Sequence, residues 1–304
     1  MTVNNRLFIV GGSGFIGSRL VEEATRRGYP ASYTYASKPL VTDARGYRVD
    51  LTGASAGDLE KFVRAEEPAS VIYCAVPAPI VQAGEEDHRA ISLEGVKRVV
   101  AALKPGGRFI YVSTNMVFGG GKGPYTEMAA PDPEQRQDPY RFYGLYKTAG
   151  ERLALESWPD TIVARTCVVD GRLANGQLSP RLAGLFQQLK AGQSLHRFTD
   201  RYFSPTLVGN FCKAIFEALE PEFRYRGILH LAGAERINDF DYARKLARYL
   251  GYDESLVKPD NLANSPAMRH SPPDTSLDVA FTQSLLKTPL LTVDEQFIQL
   301  FPQK

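Results

Sequence analysis

One tyrosine and one lysine stand four residues apart in the run Tyr143-Gly144-Leu145-Tyr146-Lys147, and no other Tyr-x-x-x-Lys occurs in the chain. On a helix that spacing places both side chains on one face. An ammonium beside a phenol favours the phenolate and lowers the phenol's pKa from about 10, which makes the hydroxyl a usable proton donor or acceptor near neutral pH. Taken alone, the pair reads equally well as a solvated Lys beside an amphipathic Tyr. A second candidate is Thr114, in Val112-Ser113-Thr114-Asn115-Met116-Val117-Phe118-Gly119. A hydroxyl at the carboxyl edge of a parallel strand faces the ligand crevice and can hydrogen-bond a carbonyl oxygen. A Ser/Thr turn closing the strand is the plain alternative.

The third candidate is Gly11-Gly12-Ser13-Gly14-Phe15-Ile16-Gly17, which follows the apolar run Leu7-Phe8-Ile9-Val10 and opens a helix-like stretch to Arg27. Strand, glycine turn and helix together make a cradle for a pyrophosphate. The chain turns sharply, its backbone lets the anion approach, and the helix N-terminus offers free N–H groups. The three-residue spacing Gly11-x-x-Gly14-x-x-Gly17 differs from G-x-G-x-x-G. An acid at the end of the second strand would bind a ribose 2′-hydroxyl and select NAD. Tyr33-Thr34-Tyr35-Ala36-Ser37-Lys38 contains no acid. Ser37 and Lys38 suit a 2′-phosphate instead, so NADP is expected over NAD, against the alternative of a solvated turn.

The elements that must position these residues alternate through the first half. Strands are expected at Leu7–Val10, Ala31–Tyr35, Tyr47–Val49, Val71–Val76, Arg108–Val112 and Thr161–Arg165. Helices are expected at Phe15–Arg27, Ala56–Arg64, Glu85–Leu103 and Tyr140–Ser157. That order implies an α/β fold, a doubly wound parallel sheet of the Rossmann type. The second half loses the rhythm: helices at Pro180–Lys190, Leu207–Leu219 and Asn238–Leu250, a strand at Gly227–Leu231, irregular chain over Phe198–Pro205, a Pro-rich stretch from Lys258 to Asp274, and two short terminal helices. The division expected is a dinucleotide-binding domain of residues 1–168 plus about 207–234. A smaller C-terminal substrate lobe takes about 169–206 plus 235–304.

Composition narrows the class. The 304 residues carry a net charge of +2 with no basic cluster, which gives no case for a nucleic-acid partner. The three cysteines, Cys74, Cys167 and Cys212, are widely spaced among apolar neighbours and read as buried thiols of a reducing compartment. No apolar run approaches a membrane span, so a cytoplasmic location is the expectation. The four histidines, His88, His196, His230 and His270, lack ligand spacing, and no metal site is expected. His230 reads as a core histidine, Trp158 as packing and Arg165 as structural. Arg201 suits a phosphate or carboxylate, or an ion pair with neighbouring Asp200.

Taken together, these segments resemble the extended branch of the short-chain dehydrogenase/reductase superfamily, in particular its dTDP-4-dehydrorhamnose reductase group, over nearly the whole length. Gly11-x-x-Gly14-x-x-Gly17 matches the branch's cofactor turn, and Asp50-Leu51 matches the position of its acidic residue that contacts the adenine. Ser113 to Gly119 resembles the group's Ser-Thr-Asp-Tyr-Val-Phe-Asp stretch, which marks Asn115 and Met116 as substrate candidates. Tyr143 to Lys147 with Gly150-Glu151 resembles its catalytic helix, Ser204-Pro205-Thr206 a segment of its substrate lobe, and His230 to Gly233 its last strand. The resemblance implies a triad of Thr114, Tyr143 and Lys147. Tyr143 would give a proton to a substrate carbonyl oxygen that Thr114 also holds, while the nicotinamide gives a hydride to the carbon. Lys147 would tune Tyr143 and hold the nicotinamide ribose.

The chain also departs from the group. Cys74-Ala75-Val76-Pro77 stands where an Asn-Ala-Ala-like cofactor stretch is usual, Ser92 where a helical Asn is common, Asn115 in place of an Asp, and Pro272-Pro273 in place of Arg-Pro before Leu277-Asp278. The function expected is NADPH-dependent reduction of a small keto substrate, a keto sugar linked to a nucleotide. A nucleotide-sugar epimerase or dehydratase is one alternative. A cofactor-binding regulatory subunit resembling that of methionine adenosyltransferase is another. The resemblance further implies a homodimer through the catalytic helix, where Leu145, Leu153 and Leu155 supply apolar positions.

Overall fold

In a computed structural model, which describes residues 5–302, the chain forms two compact units. The first takes the chain up to Thr114, Phe142–Arg165 and Ile215–Leu229; the second takes Asn115–Arg141, Thr166–Ala214 and the chain from His230 on.

The first unit starts with β1 (Leu7–Val10), α1 (Phe15–Arg26), β2 (Ala31–Tyr35), β3 (Arg45–Arg48), α2 (Asp58–Glu66) and β4 (Ser70–Tyr73). There follow α3 (Glu85–Arg89), a π-helical turn Ala90–Glu94, α4 (Gly95–Ala102), β5 (Arg108–Thr114), α5 (Arg141–Ser157) and β6 (Thr161–Thr166). The elements expected from the sequence are present, with ends shifted by up to three residues, except that the helix expected over Glu85–Leu103 is interrupted. Every residue of β1, β5 and β6 is buried, as parallel strands covered on both faces must be.

In the second unit come β7 (Val169–Asp170), α6 (Pro180–Lys190), β8 (Leu195–Phe198), β9 (Tyr202–Phe203), β10 (Thr206–Leu207) and the start of α7 (Val208–Leu219), whose residues from Ile215 on belong to the first unit. The chain ends with β11 (Gly227–His230), β12 (Ile237–Asn238), α8 (Asp239–Tyr249), β13 (Val257–Asp260), α9 (Ala280–Leu285) and α10 (Val293–Leu300). Asn238 caps α8 by accepting the Asp241 N–H at 2.7 Å, and Gly251 follows with a left-handed φ of 75°, as the capped-helix reading requires. Strand pairs β8–β13, β7–β10 and β9–β12 were not visible in the sequence. They are two to four residues long, and β13 contains Pro259, which only an edge position tolerates. Phe198–Pro205 is therefore not wholly irregular, since β9 lies within it.

The main sheet has seven strands in the order β11-β6-β5-β4-β1-β2-β3, and the pairs from β5 to β3 are parallel. The order reverses between β1 and β4. This is where an open α/β sheet leaves a crevice beyond its strand ends. Two chain segments emerge there together: Gly11 after β1 and Cys74 after β4, with the Cys74 N–H donating to the Val10 carbonyl at 2.9 Å.

The expected single helix from Glu85 to Leu103 is broken by its π-turn. Two buried hydroxyls reach the carbonyls at that turn: Tyr73 donates to Ile91 at 2.5 Å and Tyr111 to Ser92 at 3.4 Å. Close approach also demands small residues. A Cβ on Gly95 would lie 2.0 Å from the Tyr73 hydroxyl, and one on Gly150 of α5 would lie 2.4 Å from the Ser92 carbonyl. Helix α5 is thereby seated tightly against the sheet and the π-turn.

Candidate active site

The glycine turn is built by steric necessity at two ends and left open in the middle. Gly11 has φ of 83°, and a Cβ there would lie 2.6 Å from Ala75 Cα. A Cβ on Gly17 would lie 2.2 Å from the Gly11 carbonyl, and one on Gly12 2.5 Å from Tyr33 Cβ. Gly14 differs: it is exposed, its φ is −73°, and a Cβ would touch only the Gly11 carbonyl at 3.3 Å. The fold itself does not require a glycine there. What a Cβ at Gly14 would fill is the space at the start of α1, where the first-turn N–H groups have no partner within the helix. A bare helix start, a turn without side chains and the strand-order reversal suit a dinucleotide pyrophosphate.

The other expected cofactor residues also lie in the first unit. Ala75 packs against Gly11, and Cys74 Sγ donates to the Val10 carbonyl at 3.2 Å. Burial pushes the Cys74 thiol up to about 12, so it is a neutral donor, like the amide usual at that place. Asp50 Oδ1 accepts the Thr52 N–H at 3.0 Å and its hydroxyl at 2.8 Å, and these bonds hold the carboxyl below its ordinary value. Leu51 is buried beside it, while Ser37 and Lys38 are exposed just past β2.

Lys147 is buried, with 1% of its surface exposed, and its Nζ donates to the Val112 carbonyl at 2.9 Å, two residues before Thr114. The ammonium lies 4.6 Å from the Tyr111 ring centre and 6.0 Å from that of Tyr143. Burial lowers its pKa from 10.5 to about 8. Helix α5 and the end of β5 thus bring Tyr143, Lys147 and the Val112–Thr114 segment together. The solvated-lysine alternative does not hold.

Glu151, one turn after Lys147, anchors this arrangement. Its carboxylate accepts Arg165 Nε at 2.9 Å and a terminal guanidinium nitrogen at 2.7 Å, and it also takes the Ser113 hydroxyl. Arg165 is fully buried and structural, as expected. One carboxylate therefore ties α5, β6 and the residue preceding Thr114.

His88 is the residue that sequence reasoning passed over. It is buried on α3, its ring centre 5.9 Å from that of Tyr143. Its Nε2 lies 3.1 Å from the Ile80 carbonyl, which makes Nε2 the protonated nitrogen and leaves Nδ1 bare. Burial lowers its pKa, so the imidazole is neutral. Only the absence of ligand spacing was legible; the contact with Tyr143 depends on the packing of α3 against α5.

Three candidates belong to the second unit. Asn115 is buried, and its amide donates to Thr275 at the carbonyl (3.2 Å) and hydroxyl (2.9 Å). Met116 is half-buried. Arg201 is half-buried and forms no ion pair with Asp200, whose carboxylate instead accepts the Leu262 N–H at 3.0 Å. Elsewhere, His230 is a bonded core residue with Nδ1 2.9 Å from the Asp278 carbonyl, and Trp158 donates to the Gly107 carbonyl at 2.7 Å. No cluster of metal-ligating side chains occurs among the described residues, and no helix there is long and apolar enough to cross a membrane.

Comparisons with known proteins give the family. The family described as "RmlD substrate binding domain" matches residues 5–301. The chain is 26% identical over 304 residues to the probable low-salt glycan biosynthesis reductase Agl14 of Haloferax volcanii, covering 96% of each. It is 28% identical over 292 residues to the dTDP-4-dehydrorhamnose reductase of Mycolicibacterium smegmatis, covering 94% of this chain and 81% of that one. A crystal structure of a hypothetical dTDP-4-dehydrorhamnose reductase from Sulfolobus tokodaii superposes with a TM-score of 0.79 at 29% identity, covering 95% of this chain and 98% of that one. The same score, at 21% identity and covering 98% and 99%, relates the fold to a Bacillus anthracis dTDP-4-dehydrorhamnose reductase in complex with NADP. The chain is thus a member of the RmlD substrate-binding-domain family, NAD(P)-dependent oxidoreductases of the extended short-chain dehydrogenase/reductase type.

Proposed function

We propose that this protein is an NADPH-dependent reductase of a keto sugar carried on a nucleotide, with Tyr143 as the proton donor. The observation that carries the reading is the buried Lys147 ammonium, held by the Val112 carbonyl beside the Tyr143 ring, in the same unit as a glycine turn left open at Gly14. The reductases to which the chain is similar act on such substrates by name.

The assigned roles follow from the chemistry of each group. The first turn of α1, with Gly11, Ser13, Gly14, Phe15, Ile16 and Gly17, holds the pyrophosphate of the cofactor; Asp50, Leu51 and Cys74–Val76 border its adenosine half. When bound, the reduced nicotinamide supplies the hydride. Tyr143 delivers its hydroxyl proton to the carbonyl oxygen, which becomes an alcohol. Thr114 donates a hydrogen bond to the same oxygen as negative charge develops on it. Lys147 stabilises the phenolate left on Tyr143. The absence of an acid at Ser37-Lys38 supports NADP over NAD. The second unit is assigned to the sugar nucleotide, with Arg201, which has no ion-pair partner among the described residues, for an anionic group of it.

The direct test is an assay of NADPH oxidation with dTDP-4-dehydrorhamnose and other keto-sugar nucleotides. Turnover that requires both the keto group and NADPH supports the reading. Failure of every keto-sugar nucleotide, with NADPH bound, removes it.

A further inference from the structure

The 2′-phosphate candidates read from the sequence, Ser37 and Lys38, come from the exit of β2, yet the structure brings a cation from another strand to the same edge. Arg48 ends β3 and stands opposite Tyr35 of β2 in the parallel register. Its Nε donates to the Ala36 carbonyl at 3.4 Å, immediately before Ser37 and Lys38. That single anchor leaves the two terminal nitrogens of the guanidinium free to donate.

The charges around it are not balanced in the usual way. Arg45, three residues earlier, is engaged by Glu66 at 3.5 Å and lies 5.0 Å over the Tyr47 ring. Neither Arg48 nor Lys38 forms an ion pair among the described residues, and both are exposed. The acid nearest in sequence, Asp50, spends Oδ1 on two bonds from Thr52, and Arg48, beyond ion-pair distance, adds only the last of the influences that hold its carboxyl below its ordinary value. Asp43 is the only other acid between Tyr35 and Asp50. Two cations without an ion pair among the described residues and a hydroxyl therefore stand just beyond β2, the strand paired with β1 and its glycine turn. In a fold of this kind the adenosine ribose lies at that edge. A monoanion would leave one cation unmatched, whereas a phosphate dianion matches both. A guanidinium can also grip a phosphate bidentately, which the Lys38 ammonium cannot.

We propose that Arg48 is a specificity-determining residue: with Ser37 and Lys38 it forms the seat of the cofactor's 2′-phosphate. This rests on the reading of the chain as NADP-dependent. The device joins two strands, so part of the selectivity is carried where the β2 exit alone does not show it.

Calorimetric titration of the wild type, Arg48→Gln, Arg48→Lys and Lys38→Gln with NADPH, NADH, adenosine 2′,5′-bisphosphate and 5′-AMP tests it. Arg48→Gln is expected to weaken NADPH and the bisphosphate about tenfold, the scale of one charge-assisted contact, while NADH and 5′-AMP stay within about twofold. Arg48→Lys is expected to fall between wild type and Arg48→Gln. An unchanged NADPH-to-NADH ratio in Arg48→Gln overturns the proposal, as does an equal loss for all four ligands, which would reduce Arg48 to a support for β2. Wild-type protein that binds NADH as tightly as NADPH removes the NADP reading itself. A preference for NADPH that survives Arg48→Gln unaltered removes only the role of Arg48.

Discussion

Lys147 shows how a residue's surroundings decide its chemistry. An exposed lysine keeps a pKa near 10.5, but the one on α5 is buried and falls to about 8. Between those pH values the unfolded chain binds more protons than the folded one, so this group makes stability rise with pH across that window. At neutral pH the buried charge costs about 3 kcal/mol, and the cost fades as pH climbs through 8 to 10.5. Lys147→Met has no such titration. Denaturant unfolding at several pH values is therefore expected to show the wild type gaining stability relative to Lys147→Met from pH 8 upward. A constant difference between the two would contradict the buried, titrating lysine. The pairing with Tyr143 was legible in the sequence because i,i+4 spacing is a local property of helices. The Val112 carbonyl and the His88 ring were not, because each comes from a different element of the sheet or its flanking helices.

At the scale of elements, the four glycines of one turn do different work. Gly17 has no room: its Cβ would overlap the Gly11 carbonyl at 2.2 Å. Gly14 has room and an ordinary φ. Gly17→Ala is thus expected to destabilise the fold by about 3 kcal/mol, the scale of an overpacked core site. Gly14→Ala should change stability by under about 1 kcal/mol, yet raise the Kd for NADPH by about tenfold or more. Thermal melts and cofactor titrations of the two variants check this, and equal effects of both on stability would contradict it. The sequence pattern named the turn from its flanks, strand before and helix after, and the structure divides it into three crowded glycines, Gly11, Gly12 and Gly17, and one open position, Gly14. The π-turn in the helix after β4 was beyond sequence reading. Its carbonyls are met by hydroxyls of Tyr73 and Tyr111, which lie on β4 and β5. The short pairs β8–β13, β7–β10 and β9–β12 were equally hidden, since two to four residues carry too little periodicity to mark a strand.

For the whole molecule, the alternation of strand and helix foretold the sheet, and its loss after Thr166 foretold a change of architecture. It did not foretell that Asn115–Arg141 joins the second unit, because that segment follows β5 without any regular element longer than a 3₁₀ turn. If cofactor and sugar nucleotide are served by different units, their affinities should separate under mutation. Arg201→Ala is expected to raise KM for the sugar nucleotide about tenfold, as loss of a charge-assisted contact would, and to leave the Kd for NADPH unchanged. A loss of NADPH affinity in Arg201→Ala would contradict that division. The central claim is that the Tyr143 hydroxyl supplies the proton when a keto sugar is reduced. Single-turnover oxidation of bound NADPH by dTDP-4-dehydrorhamnose, followed in wild type and Tyr143→Phe, tests it most directly. The account predicts a rate lower by about a hundredfold to ten-thousandfold, the usual range for a lost general acid, at unchanged NADPH affinity; an undiminished rate in Tyr143→Phe would contradict it.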